Sequence, residues 1–434
     1  MNNVNLNSNE LPKIRWIGDV PISWKIIQLR RISGFVDYRG KTPEKVENGV
    51  PLITAKNIRN GKIDNSISRE YMREDEYVQW MVRGWPKKGD VLVTTEAPLG
   101  EVAQVTDEHI ALAQRIILIK ADKSKIFNDY LKYYLMSHAG QGELWTRATG
   151  STALGIKADR LKDILTIIPP IKTQKLTVSF LDDETSRIDA LIEKKERQIE
   201  LLKEKRSAII SHVVTKGLNP DAKMKDSGVE WLGKVPNHWP IYRSKVIFRE
   251  VNERSTSGEE ELLTVSHISG VTRRSEKNVN MFMAESLEGY KKCNKGDLII
   301  NTMWAWMGAM GIASEPGIVS PSYNVYRLRN NSNVPSYFDY LVRTGSFIAE
   351  ATRFSKGIWS SRLRLYPESF FEIQIPCPQK DEQKIIVASL AKKIGEYSKI
   401  SDLINISINK LKEYRAAIIT AAVTGQIDIR KEAA

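Results

Sequence analysis

The feature that most constrains this chain is an internal repeat: four short matches recur in the same order, 207 to 215 residues apart. The most distinctive is the nonapeptide WIGDVPISW at 16–24, which returns as WLGKVPNHW at 231–239. The other matched pairs are residues 88–93 with 295–300, 167–170 with 375–378, and 204–210 with 413–419. A nearly constant shift predicts two copies of one structural unit, with small insertions and deletions in loops.

Within each copy the pattern predicts a mixed domain followed by a helix. Short apolar runs at 90–94 and 115–119 predict strands, and residues 127–137 and 335–347 predict helices. Each Lys-Gly-Asp before a strand predicts a turn, because glycine tolerates a positive φ and aspartate can bond its own backbone. After the prolines of each copy, the pattern becomes purely helical.

The two helical tails carry the clearest periodicity. Residues 181–214 contain neither proline nor glycine, and apolar side chains recur there at alternating spacings of four and three, as they do in the second tail. This spacing predicts coiled-coil seams, and Gly217 and Gly425 are typical helix stops. The predicted seam and partner-docking positions are Ile188, Ile192, Ile199, Leu202, Arg206 and Ile209 in the first tail, and Ile394, Ile404, Ile408, Leu411, Arg415 and Ile418 in the second.

The predicted fold class is therefore α+β: two globular mixed α/β domains separated by two long antiparallel coiled-coil helices, with an internal pseudo-twofold repeat. The predicted boundaries are 1–170 for the first domain, 171–217 for the first helix, 218–378 for the second domain and 379–434 for the second helix. Because the seams share a register, we also predict equivalent places in the helix pair for Arg206 and Arg415.

Composition indicates an anionic partner. The 434 residues carry a formal net charge of +13, which favours nucleic acid over a merely solvated basic surface. The two cysteines, Cys293 and Cys377, have no ligand spacing, so we expect a reducing compartment and no disulfide framework. The polar first ten residues and the lack of a long apolar run predict a cytoplasmic protein without a signal peptide or a membrane partner.

No catalytic motif is evident in the sequence. It has no phosphate-binding loop of the GxxxxGK[ST] type, no GxGxxG and no Asn-Pro-Pro-Tyr motif, and its five histidines lack metal spacing. The one nuclease-like string, Glu-Gln-Lys at 382–384, stands at a predicted helix start, where an acid fits the helix dipole. We therefore predict no catalytic residue, no metal site and no cofactor bound by this chain.

Two matching stretches have the composition of DNA-contacting loops. Residues 351–367 contain four basic side chains and no acid, and residues 144–158 of the first copy are rich in glycine and hydroxyl side chains. The predicted DNA-binding residues are Arg39, Lys41, Thr42, Lys56, Asn57, Arg59, Arg147, Thr149, Ser151, Lys157, Arg273, Arg274, Arg353, Lys356, Ser360, Arg362 and Arg364. For Trp304 and Trp306, we favour a packed core or a partner interface over base stacking.

Taken together, these strings resemble the specificity subunits of Type I restriction-modification systems, over essentially the whole chain. The resemblance rests on the paired Trp-Gly-Pro turns, the Lys-Gly-Asp strands, the proline junctions and the Glu-Gln-Lys string, which is looser in the first copy as Thr-Gln-Lys at 173–175. The copies differ where KGIW at 356–359 replaces the Gly-Ser-Thr at 150–152, and where WAWMG at 304–308 replaces APLG at 97–100. These differences fit two domains that read different sequences.

The resemblance implies a subunit without catalysis of its own. Each target-recognition domain would read one half of a split site in double-stranded DNA, and the helix pair would set the spacing and dock two methyltransferase subunits. S-adenosylmethionine, and ATP with magnesium, would bind to the partner subunits, and restriction subunits would join the full complex. Three alternatives remain: a Type IIB specificity subunit, a self-contained DNA methyltransferase and nuclease, and a coiled-coil scaffold without a nucleic-acid role.

Overall fold

The structure is a computed structural model that describes residues 20–38, 43–150, 154–276, 286–358 and 363–429. These residues form two compact units. One unit combines Met1–Lys195 with Asn405–Ala434, and the other is Glu196–Ile404. The first and second units each contain one mixed domain and parts of two long helices.

The first unit begins with strands that surround a four-stranded antiparallel sheet. Its strands are β1 Lys25–Gln28, β2 Ser33–Asp37, β3 Lys45–Val46, β4 Val50–Ile53, β5 Ile58–Arg59, β6 Lys62–Ile63, β7 Tyr71–Met72, β8 Val91–Thr95, β9 Leu99–Gln104, β10 Ala111–Leu112, β11 Ile116–Ala121 and β12 Leu165–Ile168. Its helices are α1 Glu74–Trp80, α2 Asn128–Met136, α3 His138–Thr146, α4 Ala158–Lys162 and the long α5 Ile171–Lys216, which continues into the second unit.

The second unit repeats this order and also has twelve strands among the described residues. Its strands are β13 Met224–Asp226, β14 Lys234–Pro236, β15 Ile241–Arg243, β16 Phe248–Val251, β17 Leu263–Ser266, β18 Gly270–Arg273, β19 Lys291–Cys293, β20 Leu298–Asn301, β21 Met310–Ile312, β22 Gly317–Val319, β23 Tyr323–Leu328 and β24 Gln374–Pro376. Its helices are α6 Ser244–Ile247, α7 Pro335–Val342, α8 Gly345–Phe354, α9 Pro367–Glu372 and the long α10 Lys380–Thr424, which returns to the first unit.

Sheet topology confirms the predicted repeat. The central sheet has the order β2-β11-β8-β9 in the first unit and β16-β23-β20-β21 in the second. In each unit a two-stranded ribbon, β1-β12 or β15-β24, joins the start of the domain to the strand before the long helix. The first unit adds a second four-stranded sheet, β10-β4-β7-β3, to this shared plan.

The Lys-Gly-Asp turns form as predicted. Gly89 and Gly296 have φ angles of +89° and +92°. The carboxylate of Asp90 accepts a hydrogen bond from Lys87 N at 3.0 Å, and Asp297 accepts one from Asn294 N at 2.8 Å. The predicted strands and the first helix are confirmed, but the helix predicted at 335–347 is two helices. Thr344 has extended backbone angles, and its hydroxyl caps α8 by accepting from Phe347 N.

The two long helices have 46 and 45 residues and begin directly after the proline junctions. Proline disfavours the helical conformation of the residue before it, which explains the sharp starts. Gly217 and Gly425, with φ angles of +80° and +75°, follow the ends, as predicted. In the first unit Leu181 of α5 shares a core with Val423 of α10, and in the second unit Val213 shares one with Ile386. The early part of each helix therefore packs beside the late part of the other, as antiparallel helices do.

The predicted seam positions are buried or half-buried, with one exception. Arg206 is exposed, whereas the Arg415 side chain is only 14% exposed. The Arg415 guanidinium donates to the Asp189 carboxylate at 2.9 Å. By the repeat shift of 209, the counterpart of Asp189 is Ser398, which offers no carboxylate. The two arginines therefore differ in their packing, since among the described residues only Arg415 has an ion pair with an acid. That they occupy equivalent places in the helix pair stays a prediction.

A buried glutamine joins each long helix to its domain. Gln174 and Gln383 are both fully buried in the first turns of α5 and α10. Gln174 Nε2 donates to Lys125 O at 3.0 Å and Pro169 O at 2.9 Å, and its Oε1 accepts from Phe127 N at 2.9 Å. Gln383 makes a similar set with Asn333 Oδ1, Pro378 O and Val334 N. This contact explains why glutamine recurs after both proline junctions.

The end of each long helix is held by the other copy's domain. Tyr130 OH donates to Val423 O at 3.0 Å in the first unit, and Tyr337 OH donates to Val214 O at 2.8 Å in the second. Both bonds satisfy a carbonyl in the last turn of a helix, where no backbone donor is available. The repeated tryptophan turns pack at the same ends: a Cβ on Gly217 would lie 3.4 Å from Trp239, and one on Gly425 would lie 3.1 Å from Trp24.

Both cysteines lie in the cores of the second unit, and we predict that they resist alkylation. Burial raises the pKa of Cys293 to about 12 and that of Cys377 to about 11. Since the thiolate is the reactive form, almost none is present at pH 8. Iodoacetamide at pH 8 should therefore leave the folded protein unlabelled and label both residues in urea, as read by mass spectrometry. Stoichiometric labelling of the folded protein would contradict this prediction.

Candidate nucleic-acid interface

Two backbone hydrogen bonds close a short hairpin at the same place in each unit. In the first unit, Thr149 and Gly155 exchange backbone hydrogen bonds of 2.8 and 3.0 Å. In the second, Lys356 and Arg364 exchange two bonds of 2.9 Å. Each hairpin follows a helix, α3 or α8, and precedes the short helix α4 or α9. We call these the first and second hairpins, residues 149–155 and 356–364, of which residues 151–153 and 359–362 lie outside the described part of the chain.

Each hairpin lies against a second loop that also differs between the copies. Ile156 N donates to Thr95 O at 2.9 Å, which places the first hairpin beside the loop at 95–101. Leu365 N donates to Thr302 O at 3.1 Å, which places the second hairpin beside the loop at 302–308. The four segments in which the copies differ most therefore form two pairs, one in each unit. A common scaffold with variable paired loops is the organisation expected of a recognition site.

The scaffold beneath the paired loops is itself repeated. Gly100 and Gly308 have φ angles of +86° and +87°, and a Cβ would lie 2.7 Å from Gln141 Oε1 or 2.6 Å from Ile348 Cδ1. Gln141 and Ile348 occupy matching positions of α3 and α8. Glycine is therefore required where each loop crosses its helix.

Buried acids stand beside both hairpins and engage two of the predicted DNA-binding arginines. Glu143 is 1% exposed and forms an ion pair of 2.8 Å with Arg147, while also accepting from Leu165 N at 2.6 Å. Glu350 is 6% exposed and accepts two hydrogen bonds, of 2.7 and 2.6 Å, from Arg353. A buried carboxylate needs such partners. Both arginines therefore stabilise the scaffold. Their acids lie four and three residues earlier, the usual spacings of ion pairs on a helix, and this spacing was the signal in the sequence that could have indicated the pairing.

Asn57, predicted to bind DNA, is instead structural. It is 1% exposed, and its amide nitrogen donates to Asp64 O at 3.1 Å and Ser68 O at 2.7 Å. Its Oδ1 accepts from both the backbone and the hydroxyl of Thr54. All its hydrogen-bonding capacity is used inside the fold, so it is unable to read a base edge. Its neighbours Lys56 and Arg59 are exposed.

Arg273 and Arg274, also predicted to bind DNA, are less accessible than the prediction assumes, because one is paired with an acid and the other is half-buried. The Arg273 guanidinium pairs with both carboxylate oxygens of Glu315, and this pairing holds the pKa of Glu315 below its usual value. Its charge is therefore compensated within the second unit. Arg274 is half-buried beside it.

The remaining predicted residues divide into two groups. One group is exposed and carries no ion pair among the salt bridges of the described residues: Lys56, Arg59, Thr149, Lys157, Lys356 and Arg364. The other group lies outside the described residues: Arg39, Lys41, Thr42, Ser151, Ser360 and Arg362. The structure brings Thr149 onto the first hairpin, with Lys157 just after it, and Lys356 and Arg364 together on the second.

Two exposed apolar side chains beside the second hairpin were not predicted to bind DNA. Trp304 is 51% exposed, so the packed-core interpretation is wrong for it, and Ile358 is 96% exposed. Trp306 is half-buried and donates through Nε1 to Met303 O at 2.9 Å. Apolar side chains exposed within an otherwise basic hairpin and loop are a sign of a binding surface that composition alone does not show.

Within the described ranges, no group of three or more His, Cys, Asp or Glu side chains could hold a metal ion. Glu382, the acid of the nuclease-like string, lies in the first turn of α10 and contacts His238 Nε2 at 2.9 Å. No helix among the described residues is both long and apolar enough to cross a bilayer.

Part of the chain matches the model of a known protein family. The model for the Type I restriction modification DNA specificity domain matches residues 22–201. Two curated relatives come from Methanocaldococcus jannaschii. The putative type I restriction enzyme MjaX specificity subunit is 26% identical over 236 residues, 52% of each chain, so the match spans about half of that relative. The type I restriction enzyme MjaVIII specificity subunit is 21% identical over 95% of this chain and 94% of its own length.

Solved structures resemble the whole chain. A chain from a study of complex assembly and conformational transition of the type I R-M system has a TM-score of 0.65 at 15% identity, covering 94% of this chain and 100% of its own. The HsdS subunit from Thermoanaerobacter tengcongensis has a TM-score of 0.52 at 15% identity, covering 94% of this chain and 98% of its own. Both likenesses show the fold, with its mixed domains and long helices.

Proposed function

We propose that this chain is a specificity subunit of a Type I restriction-modification system, as its similarity to such subunits supports, and that each of its two units reads one half of a bipartite site in double-stranded DNA. The observation that carries this proposal is the pairing of divergent loops: 95–101 with the first hairpin, and 302–308 with the second. The central sheets, the ribbons and the helices next to these loops repeat, while the loop sequences do not. Two units that share a scaffold and differ in their paired loops are suited to two different half-sites.

The long helices would fix the distance between the two half-sites. In readers of split sites, the spacing of the halves follows the geometry of the protein that joins the reading domains. Here each domain is attached at both ends: to the first turn of one long helix through a buried glutamine, and to the last turn of the other through a tyrosine hydroxyl. Such attachment favours a defined spacer length.

The same helices would dock two methyltransferase subunits. Because the predicted seam side chains, apart from Arg206, are turned inward, the docking surface must use other positions. Large apolar side chains are exposed along both helices: Leu191, Leu201, Ile385, Ile400, Leu403, Ile406 and Tyr414. These exposed apolar side chains are the candidates for the docking contacts. In the proposed complex, S-adenosylmethionine and ATP with magnesium bind to the partner subunits, and restriction subunits join the assembly.

Methylome sequencing of cells that express this chain with its methyltransferase tests the proposal. We expect methylated adenines in a motif of two defined halves separated by a spacer of fixed length. A single undivided motif, or no motif, would contradict it.

The alternatives have their own outcomes: methylation by the purified chain with S-adenosylmethionine alone would favour the self-contained enzyme, and absence of any DNA binding with the methyltransferase present would favour the scaffold. Excision of DNA on both sides of the site would favour a Type IIB assembly.

A further inference from the structure

Arg115, which is not one of the residues predicted to bind DNA, lies beside the loop 95–101 of the first unit. Its carbonyl accepts a hydrogen bond from Thr95 N at 2.8 Å, where that loop begins. Glu96, the next residue of the loop, forms an antiparallel backbone bridge with Gly155 of the first hairpin. Arg115 therefore lies within the surface proposed to read the first half-site, although it belongs to neither divergent loop.

The Arg115 side chain is held by one contact and is otherwise accessible. Its Nε lies 2.7 Å from Glu96 Oε1, and the two side chains are 48% and 42% exposed. In the described part of the chain, the guanidinium of Arg115 makes this one polar contact, and the contact uses its inner nitrogen. The two terminal nitrogens, which form the outer fork of the guanidinium, are available to a ligand.

Two other arginines predicted to bind DNA are engaged more completely. Arg353 and Arg273 each donate through both Nε and Nη2 to the two oxygens of one carboxylate. Such a bidentate pair occupies a whole edge of the guanidinium. Arg115 gives its acid only Nε, so Glu96 orients the side chain without occupying the outer fork.

The backbone at Arg115 is also unusual. Its φ angle is +77°, in the left-handed region that residues with a side chain rarely adopt. By the repeat shift of 207, the matching residue of the second unit is Ser322, which does not have a positive φ. An arginine kept in a costly backbone conformation at the edge of a recognition loop indicates a functional constraint.

We propose that Arg115, positioned by Glu96, reads a guanine in the half-site bound by the first unit. The outer fork of an arginine matches the O6 and N7 acceptors that guanine displays in the major groove, and this is the commonest base-specific contact between proteins and DNA. Ser322 has no such fork, so this contact belongs to the first half-site. The inference rests on the proposed function, since it names a base-reading residue of one unit.

The analogue 7-deazaguanine tests this contact, because it pairs with cytosine as guanine does but lacks the N7 acceptor. Duplexes carrying the methylome-defined target, with one guanine of the first half replaced at a time on either strand, would be compared by fluorescence anisotropy. The protein is the complex of the full chain with its methyltransferase. At one position the replacement should weaken wild-type binding about threefold to tenfold, as expected for the loss of one hydrogen bond.

Arg115→Gly removes the side chain, and glycine adopts a φ of +77° without strain, so the variant should fold. It should bind the normal duplex about tenfold to hundredfold more weakly than wild type and should not distinguish 7-deazaguanine from guanine. Glu96→Ala, which leaves Arg115 without its anchor, should reduce the sensitivity to the missing N7. Glu96→Gln, which keeps an acceptor, should restore most of that sensitivity.

The matched control is Arg69→Gly, which removes an exposed arginine elsewhere in the first unit and should keep the full sensitivity to the missing N7. The inference is overturned if no guanine of the first half is sensitive to the replacement, or if the sensitivity persists in Arg115→Gly. Equal behaviour of Arg115→Gly and Arg69→Gly on all duplexes would also overturn it. In each case a two-part methylation motif would still support the proposed function, whereas absence of sequence-specific binding by the wild-type complex would refute that function.

Discussion

Replacing Gln383 with alanine is expected to lower the free energy of unfolding of the second unit by about 2 to 4 kcal/mol. The Gln383 side chain is fully buried where α10 leaves the domain. Its Nε2 donates to Asn333 Oδ1 at 2.9 Å and Pro378 O at 2.8 Å, and its Oε1 accepts from Val334 N at 2.8 Å. Truncation would remove the partner of Val334 N and of Pro378 O, and one of the two donors to Asn333 Oδ1, and each such loss is costly.

The matched control is Gln379→Ala, which makes the same chemical change four residues earlier. Gln379 is exposed, so its truncation should change stability by less than about 0.5 kcal/mol. Equilibrium denaturation in urea, followed by tryptophan fluorescence, measures both variants. Gln174→Ala should cost the first unit a similar amount, because Gln174 makes the matching bonds. Equal stability of Gln383→Ala and Gln379→Ala would show that the buried amide contributes nothing.

These glutamines also show how far the sequence could be interpreted. The repeat, the Lys-Gly-Asp turns and the long helices depend on local spacing, so they were predictable. The string around Gln383 was noticed for its acid, Glu382, as a nuclease-like pattern. The role of Gln383 depends on groups about 50 residues away, the side chain of Asn333 and the backbone of Val334, and no local pattern indicates such partners.

The candidate site was predictable in outline and wrong in detail for the same reason. Comparing the two copies identified the four divergent loops, and the structure places them in two adjacent pairs. The choice of individual residues used composition alone, which does not distinguish a free guanidinium from a paired one. Arg353 has the composition expected of a DNA contact, but its guanidinium is paired with Glu350. Asn57 has the side chain of a base reader, but its amide is buried.

Exchanging residues 1–170 for the first domain of another family member is expected to change only one half of the methylated target. The exchanged piece contains both strands of the β1-β12 ribbon and both divergent loops of the first unit, so its recognition surface moves intact. The second hairpin and its loop stay untouched. Methylome sequencing reads the result, and a target changed in both halves would refute independent reading by the two units.

The contacts that the exchange must preserve can be stated in advance. The incoming domain has to supply a tyrosine hydroxyl for Val423 O, backbone partners for Gln174, and a tryptophan turn beside Gly425. The chain's own second domain meets these requirements, because Tyr337 and Trp239 already make the matching contacts at Val214 and Gly217. A chain carrying residues 218–378 in place of 1–170 should therefore fold and direct its methyltransferase to a target whose two halves have the same sequence. If its target still contained the original first half, the paired loops at 95–101 and 149–155 could not be the source of that half's specificity.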